Sequence, residues 1–198
     1  MIKIVRSSST NAEVTDYYLD VIAKIVESCG EQKYGDDVKL EQCSKDDIII
    51  APTSVDFLKL YFKGYKNQIY WMQGIDAEES FMRNGSKFRS CILDKITKFA
   101  LKKAMAVFYV SDEMKKYEES KYSISTDGKS FIVPCFNVSK TEGINVDKNK
   151  YKKNIFTYVG SLSEWQCFEE TLDFYKKIEI IDPSSELRIF TFAIEEAK

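Results

Sequence analysis

Short, continuous apolar runs recur along the first part of the chain, with helical patterns between them, and this alternation constrains the fold most. The runs cover residues 2–5, 47–51, 68–72, 106–110 and 131–134. The helical patterns cover residues 13–29, 52–63 and 86–105, and a further one begins at Ser111. Because continuous apolar runs are typical of strands buried on both faces, the sequence predicts an α/β fold, a parallel sheet with helices on both faces. The aromatic side chains predicted to lie in the core are Tyr17, Trp71, Phe108 and Tyr158.

The alternation stops at residues 137–153, which are polar, lack periodicity and include five lysines. Such a stretch predicts a linker between a first domain, residues 1–136, and a second α/β unit, residues 154–198. The predicted elements of the second unit are strands over 155–159 and 187–192 and a helix from about Glu164 to Ile178. Two strands cannot bury both faces of a sheet, so we expect this unit to be the incomplete opening of a larger domain.

The composition argues against several classes of protein. Histidine is absent, which makes zinc enzymes and Ser-His-Asp hydrolases poor candidates, and we expect no metal site. A net charge of -2 gives no argument for a nucleic-acid partner. Five widely spaced cysteines without a Cys-x-x-Cys pair predict free thiols in a reducing cytosol. No apolar run approaches the ~18 residues of a membrane span, so we expect a cytoplasmic protein, peripheral to the inner face of a membrane at most.

The loop after the third apolar run is the first candidate for a binding or catalytic site. Ligands of open α/β sheets collect at the carboxyl ends of strands, and Gln73, Gly74, Glu78 and Glu79 lie just past such an end. Gln73 would orient a hydroxyl of the bound ligand, and Glu78 or Asp76 would accept its proton. The alternative is that these acidic residues simply begin a helix, where carboxylates favour the helix dipole. The sequence leaves both interpretations open.

Two further polar segments are expected at the same edge of the sheet. Arg6, Ser7 and Ser8 follow the first apolar run, and Ser111 follows the fourth. The first three would line a cleft between the two domains or form a solvated turn, and Ser111 is also predicted to cap a helix.

The turn that follows residues 155–159 is a candidate nucleotide site. Gly160, Ser161 and Leu162 lie between a predicted strand and a predicted helix, where backbone N–H groups can hold a diphosphate. A strand-glycine-helix turn is also ordinary in α/β folds, so the residues alone do not decide between the two interpretations.

The helix predicted over residues 86–105 is locally basic. The lysines that share an arc of about 80° are Lys87, Lys95, Lys98 and Lys102. The apolar residues on a second arc are Phe88, Ile92, Ile96, Phe99 and Ala100. The lysine arc predicts either a contact with an anionic membrane surface or the solvated face of a helix that packs on the core.

Three segments carry a resemblance to a known family. They are Tyr70-Trp-Met-Gln-Gly-Ile-Asp-Ala-Glu-Glu-Ser80, Ala106-Val-Phe-Tyr-Val-Ser-Asp-Glu-Met-Lys115 and Phe156-Thr-Tyr-Val-Gly-Ser-Leu-Ser-Glu-Trp-Gln166. Together they resemble the family 4 (group 1) glycosyltransferases of the GT-B architecture, in which two Rossmann-like domains face each other, and in particular the enzymes of bacterial surface-polysaccharide synthesis. The third segment is similar to the Tyr-x-Gly-(Ser/Arg)-Leu...Lys-x-x-Gly opening of the family's donor domain.

The resemblance implies a Rossmann-like acceptor-side domain followed by the start of a donor domain. The implied reaction transfers a hexose from a UDP- or GDP-linked nucleotide sugar to a lipid-linked or glycan acceptor, with no cofactor. It implies acceptor-side roles for the residues around Gln73 and for Ser111, and donor-side roles for Gly160, Ser161 and Leu162.

The chain also departs from the family pattern. The family's donor-site Glu...Glu pair would lie past Lys198. The family usually has a lysine or arginine a few residues past Gly160, where this chain has Glu164, Trp165 and Gln166. The glycine of the Lys-x-x-Gly element falls at Cys167. As a complete polypeptide the chain is therefore not expected to transfer sugar, and a non-catalytic nucleotide-binding or protein-interaction module from a truncated gene is the alternative. A reading frame that continues to a Glu-x7-Glu segment would favour the enzyme.

Overall fold

The computed structural model of the protein describes residues 2–4, 13–28, 43–134, 152 and 154–195. The chain forms two compact units. The first ends at Ser139, and the second runs from Lys140 and also takes in Met82–Gly85. Only Lys152 of the proposed linker is described, so the linker stays a prediction.

A five-stranded parallel sheet is the centre of the first unit. The strands are β1 (Ile2–Ile4), β2 (Ile48–Ala51), β3 (Gln68–Met72), β4 (Ala106–Tyr109) and β5 (Ser130–Ile132). The helices are α1 (Glu13–Ser28), α2 (Ser54–Phe62), α3 (Asp76–Asn84), α4 (Lys87–Lys103) and α5 (Asp112–Tyr122). The strands lie in chain order from β1 to β5 and every neighbouring pair is parallel. The predicted α/β fold with a Rossmann-like parallel sheet is confirmed.

Alternate residues of the central strands face two separate apolar clusters. Ile49, Tyr70 and Val107 belong to the larger cluster, which they share with residues of α2, α4 and α5. Ile50 and Trp71 belong to a smaller cluster with residues of α1. Helices therefore cover both faces of the sheet, as the continuous apolar runs predict.

Three of the four predicted core aromatic side chains are buried to different degrees, and one prediction is wrong. Trp71 is fully buried and Tyr158 is buried, whereas Phe108 is half-buried. Tyr17 is 44% exposed. Its neighbour on α1, Tyr18, is the residue that packs edge-on against Trp71, with ring centroids 5.8 Å apart. One helical step of about 100° turns Tyr17 away from that contact.

An apolar cavity of about 570 Å³ lies between α1 and the sheet face that it covers. Its walls include Ile22 from the helix and Ile69, Phe108 and Phe131 from three of the strands. Phe131 on β5 is 56% exposed. Within the described residues, α1 thus covers this face less completely than three helices cover the opposite one.

The described part of the second unit is a two-stranded parallel sheet with one α-helix. Its elements are β6 (Ile155–Val159), a 3-10 turn (Glu164–Gln166), α6 (Phe168–Ile181) and β7 (Glu186–Phe190). The α-helix begins four residues later than predicted, because Cys167 adopts a left-handed conformation (φ 52°, ψ 45°) between the 3-10 turn and α6. Several apolar side chains of this unit are more than half exposed, among them Phe174, Ile181 and Phe192.

Candidate functional site

The carboxyl ends of β2, β3 and β4 meet at one edge of the sheet because these strands are parallel neighbours. We call this edge the carboxyl rim, and its loops are residues 52–53, 73–75 and 110–111. Thr53 caps α2 by accepting a hydrogen bond from the Asp56 N–H at 3.0 Å. Ser111 caps α5 by accepting one from the Met114 N–H at 3.1 Å. The predicted cap at Ser111 is confirmed, and its hydroxyl oxygen is engaged within its own helix.

The packing of the rim explains Gly74 and Glu79 together. The Glu79 carboxylate bends back and accepts a hydrogen bond from the Ile75 N–H at 3.1 Å, just before α3 begins. This places the carboxylate against Gly74, where a Cβ atom would overlap Glu79 Oε1. A larger residue at position 74 would displace this flexible carboxylate from its hydrogen bond, and Glu79 closes the loop that carries Gln73.

Asp76 is the first residue of α3, which confirms that the acidic segment begins a helix. Its carboxylate accepts a hydrogen bond from the hydroxyl of Ser54 at 2.6 Å, and Ser54 is fully buried at the start of α2. Tyr70 is buried beside them, and its pKa is raised well above its usual value, first by burial and then by the charge of Asp76. Asp76 thus joins α2 to α3 under the rim.

Glu78 joins α3 to α5. Its Oε1 accepts hydrogen bonds from the Tyr117 hydroxyl and from the Lys121 ammonium, each at 2.5 Å. The same ammonium forms an ion pair with Asp94 of α4, also at 2.5 Å. Asp76 and Glu78, the two proposed proton acceptors, are therefore both committed to contacts between helices in this structure.

Gln73 is partly buried and directly follows β3, so it lies on the carboxyl rim as predicted. Arg6, Ser7 and Ser8 lie outside the described residues. Of the predicted acceptor-side residues, the structure thus brings together Gln73, the residues of α3 and Ser111.

Glu118 on α5 was not predicted as part of the site. Its side chain is completely buried, and neither carboxylate oxygen has a hydrogen-bond partner. Burial is the largest cause that raises the pKa of Glu118 to about 7, and the nearby Lys121 ammonium opposes this rise. The only sequence signal is the spacing of Glu118 and Lys121, which places both on one side of a helix. That spacing is typical of exposed helices and does not indicate burial.

The predicted donor turn is closed by its own hydrogen bonds. The Gly160 N–H donates to the Phe190 carbonyl at 3.1 Å and so extends the pairing of β6 with β7. The Tyr158 hydroxyl donates to the Ser161 carbonyl, and the Ser161 hydroxyl donates to Ser163 Oγ at 2.9 Å. A Cβ atom at Gly160 would come within 2.8 Å of Gln166 Oε1. This neighbour is the end of a flexible side chain, which a Cβ atom would push aside.

A cavity of about 430 Å³ adjoins this turn at the start of α6. Leu162 lines it, and so do the three acidic residues Glu164, Glu169 and Glu170. Carboxylates at a helix N-terminus favour the helix dipole but repel a phosphate. Of the predicted donor residues, Leu162 therefore lines an acidic cavity.

The lysine arc of α4 is exposed, and only the Ala100 end of the predicted apolar arc belongs to the buried face of the helix. Lys87, Lys95 and Lys102 are exposed and Lys98 is partly exposed. The apolar arc begins with Phe88, which is 78% exposed. The residues that α4 buries are Thr97, Ala100 and Leu101.

The reason is that α4 joins the larger apolar cluster through Ala100 and Leu101, near its carboxyl end. Phe99, in the middle of the apolar arc, packs on α2 and stacks on Phe62, with ring centroids 6.0 Å apart. Phe62 is itself 75% exposed. Lysines and exposed aromatic rings therefore share the outer surface of α2 and α4.

Comparisons with known proteins give no family: no protein-family model matches the chain, and no curated protein matches it. In the part of the chain that the structure describes, no group of three or more acidic or cysteine side chains is arranged to hold a metal ion. The same residues include no helix of the length and apolar character that crossing a bilayer requires.

Proposed function

We propose that the chain belongs to a glycosyltransferase of the GT-B architecture and supplies its acceptor-side domain and the opening of its donor domain. The reaction would transfer a hexose from a nucleotide sugar to a lipid-linked or glycan acceptor. The parallel sheet with helices on both faces fits such a domain, and the carboxyl rim is where an open α/β sheet binds its ligand.

The observation that carries the proposal is the backbone of Cys167. The family pattern has glycine at this position, and Cys167 adopts a left-handed conformation with φ 52°. Such a conformation costs an L-residue about 1–2 kcal/mol and is routine for glycine. A glycine would adopt this backbone readily, so the conformation of Cys167 supports its alignment with the glycine of the family pattern.

The rim assigns different roles to the proposed acceptor-side residues. Glu79 and Gly74 shape the loop, and Asp76 and Glu78 hold the helices that support it. The proposal assigns the contact with an acceptor hydroxyl to Gln73, and the support is its position directly after β3, the central strand of the sheet. Proton acceptance would fall to a group outside these contacts.

The proposal is tested by ligand titration of the ¹⁵N-labelled protein. UDP- and GDP-hexoses should bind no tighter than about millimolar (a binding free energy near -4 kcal/mol), because three acidic residues line the cavity beside the donor turn. Methyl hexosides at millimolar concentration should shift the amide signals of residues 73–80. Gln73→Ala should weaken these shifts, and Asp173→Ala on exposed α6 is the matched control. Hexoside binding that Gln73→Ala leaves unchanged, or no binding at all, would contradict the acceptor role.

Peripheral contact with an anionic membrane is part of the proposed function. It is supported by the exposed lysines of α4 next to Phe88 and Phe62. Anionic liposomes should carry the protein in flotation, less so at high salt. The triple variant Lys95→Glu, Lys98→Glu, Lys102→Glu should lose flotation. The control is the double variant Lys115→Glu, Lys116→Glu on α5. Equal flotation of both variants would refute the contact.

A protein-interaction module is the second candidate function. The observation that favours it is the apolar surface of the second unit, where Ile180, Ile181 and Phe192 are 82%, 84% and 102% exposed. Surfaces of this kind mark interaction sites in soluble proteins. Light scattering after size exclusion distinguishes the candidates, since self-association that Ile181→Glu abolishes would favour the module.

A further inference from the structure

Glu118 is a buried carboxyl group that the proposed reaction does not use. It lies on the side of α5 that packs into the first unit, its exposed fraction is zero, and both of its oxygens lack hydrogen-bond partners. Ionising a buried carboxyl group without partners costs several kcal/mol. The charge on Glu118 is therefore coupled to the packing around it.

The surroundings of Glu118 contain one cation and several acidic groups. The titratable groups whose charge it feels are Asp76 and Glu78 of α3, Asp94 of α4, Tyr117, Lys121 and Tyr122 of α5, Tyr70 of β3 and Tyr109 of β4. The Lys121 ammonium is already shared between Glu78 and Asp94. When Glu118 is neutral, this one ammonium balances two carboxylates that it contacts directly.

Proton release would change this balance. Burial, as the largest cause, raises the pKa of Glu118 to about 7. A charged Glu118 would add a carboxylate to the group that shares Lys121, which lies one helical turn away on the same side of α5. The ammonium would be drawn towards Glu118, and its hydrogen bond to Glu78 would weaken.

We propose that proton release from Glu118 loosens the attachment of α3 to α5, so that Glu78, Lys121 and Glu118 form a proton-sensitive clasp beneath the carboxyl rim. The closed clasp is the arrangement in this structure, in which Lys121 and Tyr117 both hold Glu78. The open clasp weakens the hold of α5 on Glu78 in the first turn of α3, beside the loop that Gly74 and Glu79 shape, while Asp76 stays hydrogen-bonded to Ser54 of α2. The device stands independently of the proposed sugar transfer, since it rests on contacts within the first unit.

Amide hydrogen exchange tests the clasp. After correction for intrinsic base catalysis, amides of α3 should exchange about tenfold faster at pH 8 than at pH 6, the equivalent of about one pKa unit of coupling. Glu118→Gln, which keeps the shape and removes the charge, should show no such difference. Glu113→Gln on the exposed side of α5 is the control and should behave like the wild type. An equal rise in the wild type and in Glu118→Gln would overturn the proposal.

A second measurement stays decisive if Glu118→Gln fails to fold. The ¹³C signal of the Glu118 carboxyl carbon should titrate in the wild type with a midpoint near 7. Lys121→Met should move this midpoint upward, whereas Lys116→Met, whose lysine pairs with Glu113 at the surface, should leave it in place. A midpoint below 5, or one that Lys121→Met does not move, would refute the clasp.

Discussion

Replacing Glu118 by Gln should stabilise the first unit at pH 8 and change little near pH 4. In the folded protein, burial raises the pKa of Glu118 from its ordinary value of 4.5 to about 7. The folded state therefore binds this proton more tightly than the unfolded state does. Between these two values the folded state holds more protons, so the free energy of unfolding falls as the pH rises.

The size of the effect follows from the same values. Each pKa unit corresponds to about 1.4 kcal/mol, so a rise from 4.5 to about 7 corresponds to about 3 kcal/mol lost between pH 4 and pH 8. The chain contains no histidine, and the described carboxyl groups with lowered pKa, such as Asp127 and Asp173, titrate below this window. Among the described residues, Glu118 should therefore dominate the pH dependence between 5 and 8.

The assay is urea unfolding at a series of pH values. Trp71 lies in the core of the first unit, so its fluorescence in a Trp165→Phe background reports on that unit alone. Wild-type stability should fall by about 3 kcal/mol from pH 4 to pH 8, and Glu118→Gln should flatten the curve. Glu113→Gln at the surface should reproduce the wild-type slope. A wild type whose stability is flat over this range, or a Glu118→Gln variant with an unchanged slope, would refute the reasoning.

Three further predictions concern the backbone and the helix ends, and each is checked by urea unfolding. Ser123 ends α5 in a left-handed conformation with φ 51°, so Ser123→Gly should stabilise the protein by about 0.5–1 kcal/mol, and a loss of stability would contradict this. Lys129 donates hydrogen bonds to three carbonyl groups at the end of α4, so Lys129→Met should cost about 1–2 kcal/mol, whereas exposed Lys103→Met should cost less than about 0.5 kcal/mol. Gly74→Ala should displace the Glu79 carboxylate from the Ile75 N–H at a cost of about 0.5–1.5 kcal/mol, and it should cost clearly less in a Glu79→Ala background. Equal costs in the two backgrounds would show that the overlap is not the cause.

The strands of the first unit could be predicted because a strand buried on both faces has apolar side chains at successive positions, and such runs can be recognised in a sequence. The run at Gln68–Met72 is β3 residue for residue, and Trp71 is fully buried within it. The order of the strands in the sheet could not be predicted, since apolar runs do not say which strands are neighbours. Once the strands are taken as parallel, their carboxyl ends must lie at one edge of the sheet. The position of Gln73 at that edge could therefore be predicted as well.

Two errors have a common physical origin, which is that a helix pattern shows two sides but not which side is buried. Phe88 continues the apolar arc of α4 yet is 78% exposed, because the helix packs through Ala100 and Leu101. Glu118 gives the opposite case, a charged residue in a polar helix that tertiary packing buries completely. A third error, the predicted start of α6, has another cause. The left-handed backbone of Cys167 delays the helix, and a cysteine in the sequence does not predict that conformation.

The apolar cavity beside α1 has a practical consequence for experiments on this protein. Its lining by Ile22, Ile69, Phe108 and Phe131 resembles the exposed apolar surface that environment-sensitive dyes such as ANS report in partly folded states. Among the described residues, its volume of about 570 Å³ leaves room for such a dye. Dye fluorescence would then be high before heating begins, and thermal unfolding is better followed through Trp71 or the backbone than through an added dye.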